Sequence, residues 1–318
     1  MIVNHKHLAY FEILAVTLHK FLLMKSALLK LHLAVFLWGF TGVLGRAISL
    51  NTGLLVWWRM FITVVCMWIL FILLRKTEKI SLKNFLIIGG IGTILACHWL
   101  CFYGSIKYAN VSIALTCLSA SGFVSAVLEP LFFRRKINPK ELLFGLFTVV
   151  GIFLVYKGNV RFSVGIYIGI AATFLTVIVS ILNKKLVDNF KPETLTIYQL
   201  TGGFIGLSIL MPLYNHFFPE KTYLPEHSDW IWLIVLAVVC TIFTFILYTQ
   251  ALKHLSAFTM NLTLTLEPVY GIILAFLIYK ENKDLSSSFY IGFILIIAAV
   301  VFQTRSITKR PRIIVPRE

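Results

Sequence analysis

Long apolar runs separated by short polar joints make up most of this chain. A helix needs about 20 apolar residues to cross a bilayer core. Ten segments qualify, roughly 28–46, 54–74, 85–107, 111–133, 141–157, 163–183, 194–218, 229–252, 256–279 and 288–304. Most joints are short, so neighbouring helices should run antiparallel. The longest joint, PEKTYLPEHS at 219–228, reads as a surface loop. The pattern predicts an all-α integral membrane protein with ten transmembrane helices and no soluble domain.

Two ends flank this block. Residues 1–27 read as an N-terminal extension in which Lys6, Glu12, Lys20 and Lys25 interrupt an apolar stretch. No small-residue cleavage site follows, which argues against a signal peptide. Two readings stay open: Met24 is the true start and 1–23 lie outside the real protein, or the segment is an amphipathic surface helix. Residues 305–318 form a basic tail.

Composition agrees with the pattern. Of 318 residues, 59 % are hydrophobic and 13 % charged, against about 25 % charged in soluble domains. A soluble enzyme and a disordered chain are both excluded. The net charge of +16 is a topology signal rather than the basic face of a nucleic-acid binder. With the N-terminus placed in the cytoplasm, 21 basic residues fall on the inner side and 7 on the outer, with Arg59 inside a span. The positive-inside bias then sets both termini in the cytoplasm of a multi-pass protein of the cell (inner) membrane. Cys66, Cys97, Cys101, Cys117 and Cys240 all lie in apolar runs and read as packing residues. They imply neither a disulfide framework nor a metal site.

The two halves resemble each other. SIKYANVSIAL (105–115) aligns with ALKHLSAFTMN (251–261) at a shift of 146. The same shift sets Arg134-Arg135-Lys136 opposite Lys280-Glu281-Asn282, and one inserted residue brings Gly145 to Gly292. WWRM (57–60) falls loosely against YQL (198–200). The units are 28–158 and 163–304, each of five helices. An odd number requires the second unit to enter the membrane inverted. The 4–5 loop carries RRK and the 9–10 loop KENKD, as that inversion demands. Inverted repeats characterise alternating-access carriers, with the substrate near mid-membrane between the halves.

Several stretches give the chain a likeness to a known family. They are LHLAVFLWGFTGVLGR (31–46), Trp58-Arg59-Met60, the stretch containing Ala251, Leu252, Lys253, Ser256 and Ala257, and LEPVYGIILAFLIYKEN (266–282). Together they resemble the EamA family of the drug/metabolite transporter superfamily, from about 28 to 304. Two positions depart from its pattern: Gly122 stands opposite Pro268, and Arg135 opposite Glu281. The resemblance implies a secondary carrier of small organic solutes, often an exporter of amino acids or other metabolites. It fixes no substrate.

Ionisable groups in a span mark functional sites by default. Glu267 lies about 16 Å along its helix from Ser256 at about 1.5 Å per residue, near mid-depth, and Pro268 follows it. His98 lies about 19 Å from Phe85 by the same rise, beside Trp99 and Phe102. His98, Phe102 and Ser105 share one helix face. Both Glu267 and His98 are suited to exchange protons, and a polar and aromatic wall suits an organic solute. The competing readings are a permanently protonated buried glutamate and a packing histidine. Arg59 either snorkels to the interface or faces the cavity and meets a substrate carboxylate. Gln199 stands roughly opposite it in the repeat, and Asn261 is a further candidate. Trp38, Tyr198 and Gln250 are weaker ones. Glu129 is expected to pair with Arg134 or Arg135. The glycines at 39, 42 and 45, at 89, 90 and 92, and at 202, 203 and 206 read as packing positions.

No Walker, HExxH or GxSxG pattern occurs, so neither ATP drive by this chain nor hydrolase chemistry is expected, and no cofactor is called for. The expected partners are a solute, the bilayer and protons, with a homodimer left open. The rival readings are a uniport or uptake permease without a proton step, and a membrane sensor or assembly factor that moves no solute.

Overall fold

The structure is a computed structural model. It describes the backbone of residues 5–308 except 77, 135, 138, 187–188, 221, 253–254, 256–258 and 260–262. Side chains are described for these residues except 5–21, 140–141, 252 and 303–308. The described residues are all-helical, without a strand. Helix α1 spans His5–Ala47, α2 Thr52–Leu73 and α3 Leu82–Tyr108. A broken pair follows, α4 (Val111–Ser119) and α5 (Ser121–Phe132), and then α6 (Pro139–Gly158). The second half begins with α7 (Ser163–Leu186) and α8 (Pro192–Phe217). Next, α9 (His227–Ile234) runs through a π-helical stretch, Val235–Phe243, into α10 (Thr244–Leu252). Helices α11 (Glu267–Tyr279) and α12 (Ser287–Thr308) close the chain.

Seven described helical segments are long and apolar enough to cross a membrane: 22–47, 52–73, 82–108, 111–132, 160–186, 192–217 and 227–251. Three more apolar helices are shorter, at 142–158, 267–279 and 287–302. Of the ten crossing helices expected from the sequence, seven have the length and composition to cross a membrane, and the other three segments are shorter apolar helices. Helix α11 is short because the chain turns at 265–266 before Glu267. Helix α1 runs unbroken from His5, so the segment 28–46 is the distal part of a longer helix.

Local chemistry starts these helices where the polar joints fall. Asn51, Ser81 and Asn110 cap α2, α3 and α4, accepting from the backbone N–H of Leu54 (2.8 Å), Asn84 (3.3 Å) and Ile113 (2.8 Å). Each cap satisfies a donor that a helix start leaves open. Pro192 opens α8 at a position where no amide N–H is needed. Leu73, Leu82, Ile209 and Leu277 stay exposed, as helices facing lipid require.

The halves interlock. α1 packs on α10 and α11, α3 on α7 and α8, α2 on α8, α4 on α7 and α11, and α6 on α12. The α3–α8 seam is glycine against backbone. A Cβ on Gly92 would lie 1.8 Å from the Gln199 carbonyl oxygen, and one on Gly202 would lie 2.1 Å from the Gly89 Cα. Small residues permit this approach.

Glu129 corrects one expectation. Its partner is Lys184 of α7, not Arg134, while Arg135 lies outside the described residues. Arg134 sits beyond the end of α5 with φ of 50°, and α7 brings Lys184 to the carboxylate instead.

Candidate functional site

A cavity of about 380 Å³ lies between the two halves. From the first half, α1 lends Trp38 and Thr41, α2 Arg59 and Met67, α3 Leu95, His98, Trp99 and Phe102, and α4 Leu118. From the second, α7 lends Thr176, α8 Thr196 and Leu200, the π-helical stretch Cys240 and Thr241, α10 Phe245, and α11 Glu267. The cavity is largely apolar, with a few polar groups converging on it, which is the usual make-up of a small-molecule site.

Arg59 faces this cavity and does not snorkel. It is 5 % exposed. Nη1–H donates to the Tyr103 hydroxyl (2.7 Å) and Nη2–H to Thr241 Oγ1 (3.0 Å). The guanidinium carbon sits 3.9 Å from the centre of the Trp99 ring, a cation–π contact. Thr241 is held in turn by donating to the Leu236 carbonyl five residues back (2.9 Å). This bond follows the wider π-helical ladder, a geometry often found at functional sites.

His98 is buried, and its Nδ1 meets the Ala172 carbonyl at 2.8 Å. A carbonyl only accepts, so Nδ1 carries the proton and a neutral ring leaves Nε2 as an acceptor. The Phe102 ring stacks on the imidazole, with centroids 6.2 Å apart. Ser105, on the same face, donates to the Gly165 carbonyl (2.7 Å). Both polar contacts run to α7, so the predicted polar face of α3 serves partly as a helix–helix seam.

Glu267 is the first residue of α11 and is half-buried on the cavity wall. Its side chain makes no hydrogen bond or ion pair to a described residue. The Glu267 carbonyl lies against Gly39 of α1, where a Cβ would come within 2.9 Å.

The cavity thus gathers Arg59, His98, Trp99, Phe102, Glu267 and the weaker candidate Trp38. Gln199 is elsewhere, buried in the α3–α8 seam. Tyr198 donates to the Glu78 carbonyl (2.8 Å) at a helix end, and Gln250 accepts from Lys30 (2.9 Å). Asn261 lies outside the described residues. Sequence reasoning missed Thr241, Thr41, Thr176 and Thr196. The available signal was weak, a hydroxyl within an apolar run.

It also missed two buried carboxylates at one end of the bundle. Glu281, read from sequence as part of an outer loop, is fully buried. It accepts from the N–H of Val111 (3.1 Å) and Ser112 (2.8 Å) and from the Ser112 hydroxyl (2.5 Å), and it pairs with Arg46. Asp229 accepts from the N–H and hydroxyl of Ser49 at 2.9 and 2.6 Å.

Seven long apolar helices, three shorter ones and a central mixed cavity define a multi-pass membrane protein of transporter type. The model of the EamA-like transporter family matches residues 25–157 and again 163–305, and the chain belongs to that family. Its relatives include a Bacillus subtilis protein described as "Uncharacterized transporter YxxF". That protein is 24 % identical over 233 residues, covering 71 % of each chain. An Archaeoglobus fulgidus "Uncharacterized transporter" is 26 % identical over 206 residues, covering 63 % of this chain and 69 % of its own. One from Haemophilus influenzae is 21 % identical over 274 residues, covering 79 % and 85 %. A protein of known crystal structure superposes with a TM-score of 0.59 at 15 % identity, over 90 % of this chain and 99 % of its own. That likeness concerns the fold alone.

Proposed function

We propose that this protein is a secondary active transporter that exports small organic solutes, amino acids or related metabolites, by alternating access. The membrane is the cell (inner) membrane, with both termini cytoplasmic. The observation that carries this reading is the cavity between the halves, which holds Arg59, His98 and Glu267 in a chain with few charges in its spans.

Two further features support inverted five-helix repeats. First, the shift of 146 that aligns the halves takes Ala120, the break between α4 and α5, to Leu266, the residue before α11. Discontinuous helices at mid-depth are a mark of carrier sites. Second, the helix contacts map onto themselves under exchange of the halves. The α3–α7 pair corresponds to α10–α1, and the α1–α11 pair to α7 with α4 and α5. The repeated family match has the same sense.

Glu267 and His98 are the proton-exchanging groups in this reading. Glu267 has a carboxyl on the cavity wall without a partner among the described residues, and His98 has one ring nitrogen not engaged by Ala172. Proteoliposomes with an imposed pH gradient test the coupling. E267Q should abolish gradient-driven accumulation while leaving solute exchange measurable. Undiminished pH-driven flux in E267Q would remove the proton step and favour a uniporter. Absence of any solute flux from well-inserted wild-type protein would favour a sensor or assembly role.

A further inference from the structure

Arg59 is a buried cation. Among the described residues it forms no ion pair. Nε has no hydrogen-bond partner, and each Nη has one protein acceptor. Trp99 covers one face of the guanidinium and Tyr103 lies beside it. Both are neutral, so the full charge persists. A structural arginine this deep is normally paired, because an isolated buried charge is costly. Here Arg59 lines the cavity. The fork geometry of a guanidinium matches a carboxylate.

This step rests on the carrier reading above. We infer that Arg59 receives a carboxylate of the transported solute, and that the cargo, narrowed from the solutes proposed above to acids that are not zwitterions, has an apolar body and one uncompensated negative charge. The charge count favours a monoanion. The described lining holds one guanidinium and no lysine, and with Glu267 in its proton-carrying, neutral form that guanidinium is its one charge. A phosphate dianion would exceed what one cation balances. The apolar body follows from the rings of Trp38, Trp99, Phe102 and Phe245, set in a wall that is mostly apolar. Solute binding supplies the missing partner, so the empty cavity is costly and the filled one is not. This difference favours movement of the loaded carrier over the empty one.

The test uses the full chain in liposomes loaded with a defined mixture of monocarboxylates, neutral polyols and amines, with efflux followed by mass spectrometry against protein-free liposomes. Protein-dependent efflux should be confined to the carboxylates. R59Q should lower that efflux roughly ten- to hundredfold, the loss expected for a hydrogen bond to a charged group. R59K should fall between, because it keeps the charge and loses the fork. Where R59Q is not recovered folded, the acid-to-polyol selectivity of R59K carries the test, and an unchanged ratio counts against the inference. Efflux of polyols or amines at the rate of the acids, or an R59Q rate equal to wild type, overturns the carboxylate assignment and leaves the carrier reading standing. No efflux of any solute removes the carrier reading and this inference with it.

Discussion

Tyr103 is fully buried, and its hydroxyl accepts from Arg59. Replacing it with Phe leaves an Nη1–H unmatched in an apolar surround. A hydrogen bond to a charged group contributes about 1.5–3 kcal/mol. The thermal unfolding midpoint of Y103F in detergent should therefore fall below wild type, and its half-saturating solute concentration should rise because Arg59 loses a restraint. An unchanged midpoint would mean that Tyr103 does not position the arginine. At this scale the sequence singles out residues whose chemistry contrasts with their surroundings, and the structure sets three of them on one cavity. Arg59, His98 and Glu267 stand out in apolar runs because charge in lipid is rare. The sequence reading failed where contrast was low. Thr241 reads as one more tolerated hydroxyl until the π-helical turn aims it at Arg59. Gln199 has contrast, but it is buried with its backbone against Gly92 and is not part of the cavity lining.

Helix α4 shows what an element needs beyond its own residues. Its start is capped by Asn110 and then by Glu281 from the far half, whose carboxylate takes two backbone N–H groups and the Ser112 hydroxyl. A negative charge there also complements the helix dipole. Lys280, at φ 55°, turns the chain so that the next residue points back into the bundle. E281A should cost about 2–3 kcal/mol, since buried donors at a helix start are left open while the half-exposed Arg46 regains water. E281Q, which keeps the acceptor and loses the charge, should recover part of that loss. Equal melting of E281A and wild type would contradict the capping role. The apolar stretches were legible because each exceeds what a soluble helix needs. The break at Ala120 was not, since Ala-Ser carries no proline at the turn and Pro130 lies well beyond it. The burial of Glu281 was not legible either, because a charged KENKD loop ordinarily stays in water.

Across the whole molecule the two ends are fastened differently. At one end, Glu281 and Asp229 are buried and accept backbone N–H groups, beside one exposed pair, Arg161 with Asp284. At the other, the ties are exposed ion pairs: Lys191 with Glu78, Lys184 with Glu129, and Lys76 with Glu193. The hydrogen bonds from Lys191 and Thr194 hold the Glu78 carboxyl below the usual glutamate range. A lowered folded-state value means that Glu78 contributes stability above the ordinary pKa of about 4.3. That contribution is lost as pH falls through the lowered value. Glu78 joins the α2–α3 joint to the start of α8, so acid that protonates it should loosen this end. Salt should act in the same direction, because a Debye length of about 3 Å at 1 M screens exposed pairs and barely touches buried ones. Hydrogen exchange of the reconstituted protein should therefore rise at 78–84 and 189–195 in 1 M salt, while 46–52 and 111–115 stay protected, and acid that protonates Glu78 should raise it at 78–84 and 189–195 as well. E78Q should show the faster exchange already at neutral pH and low salt. In an alternating-access cycle the end with the weaker ties opens at lower cost. Loosening of the Glu281 end before the Glu78 end would reverse that order and assign the easily opened gate to the other side of the membrane.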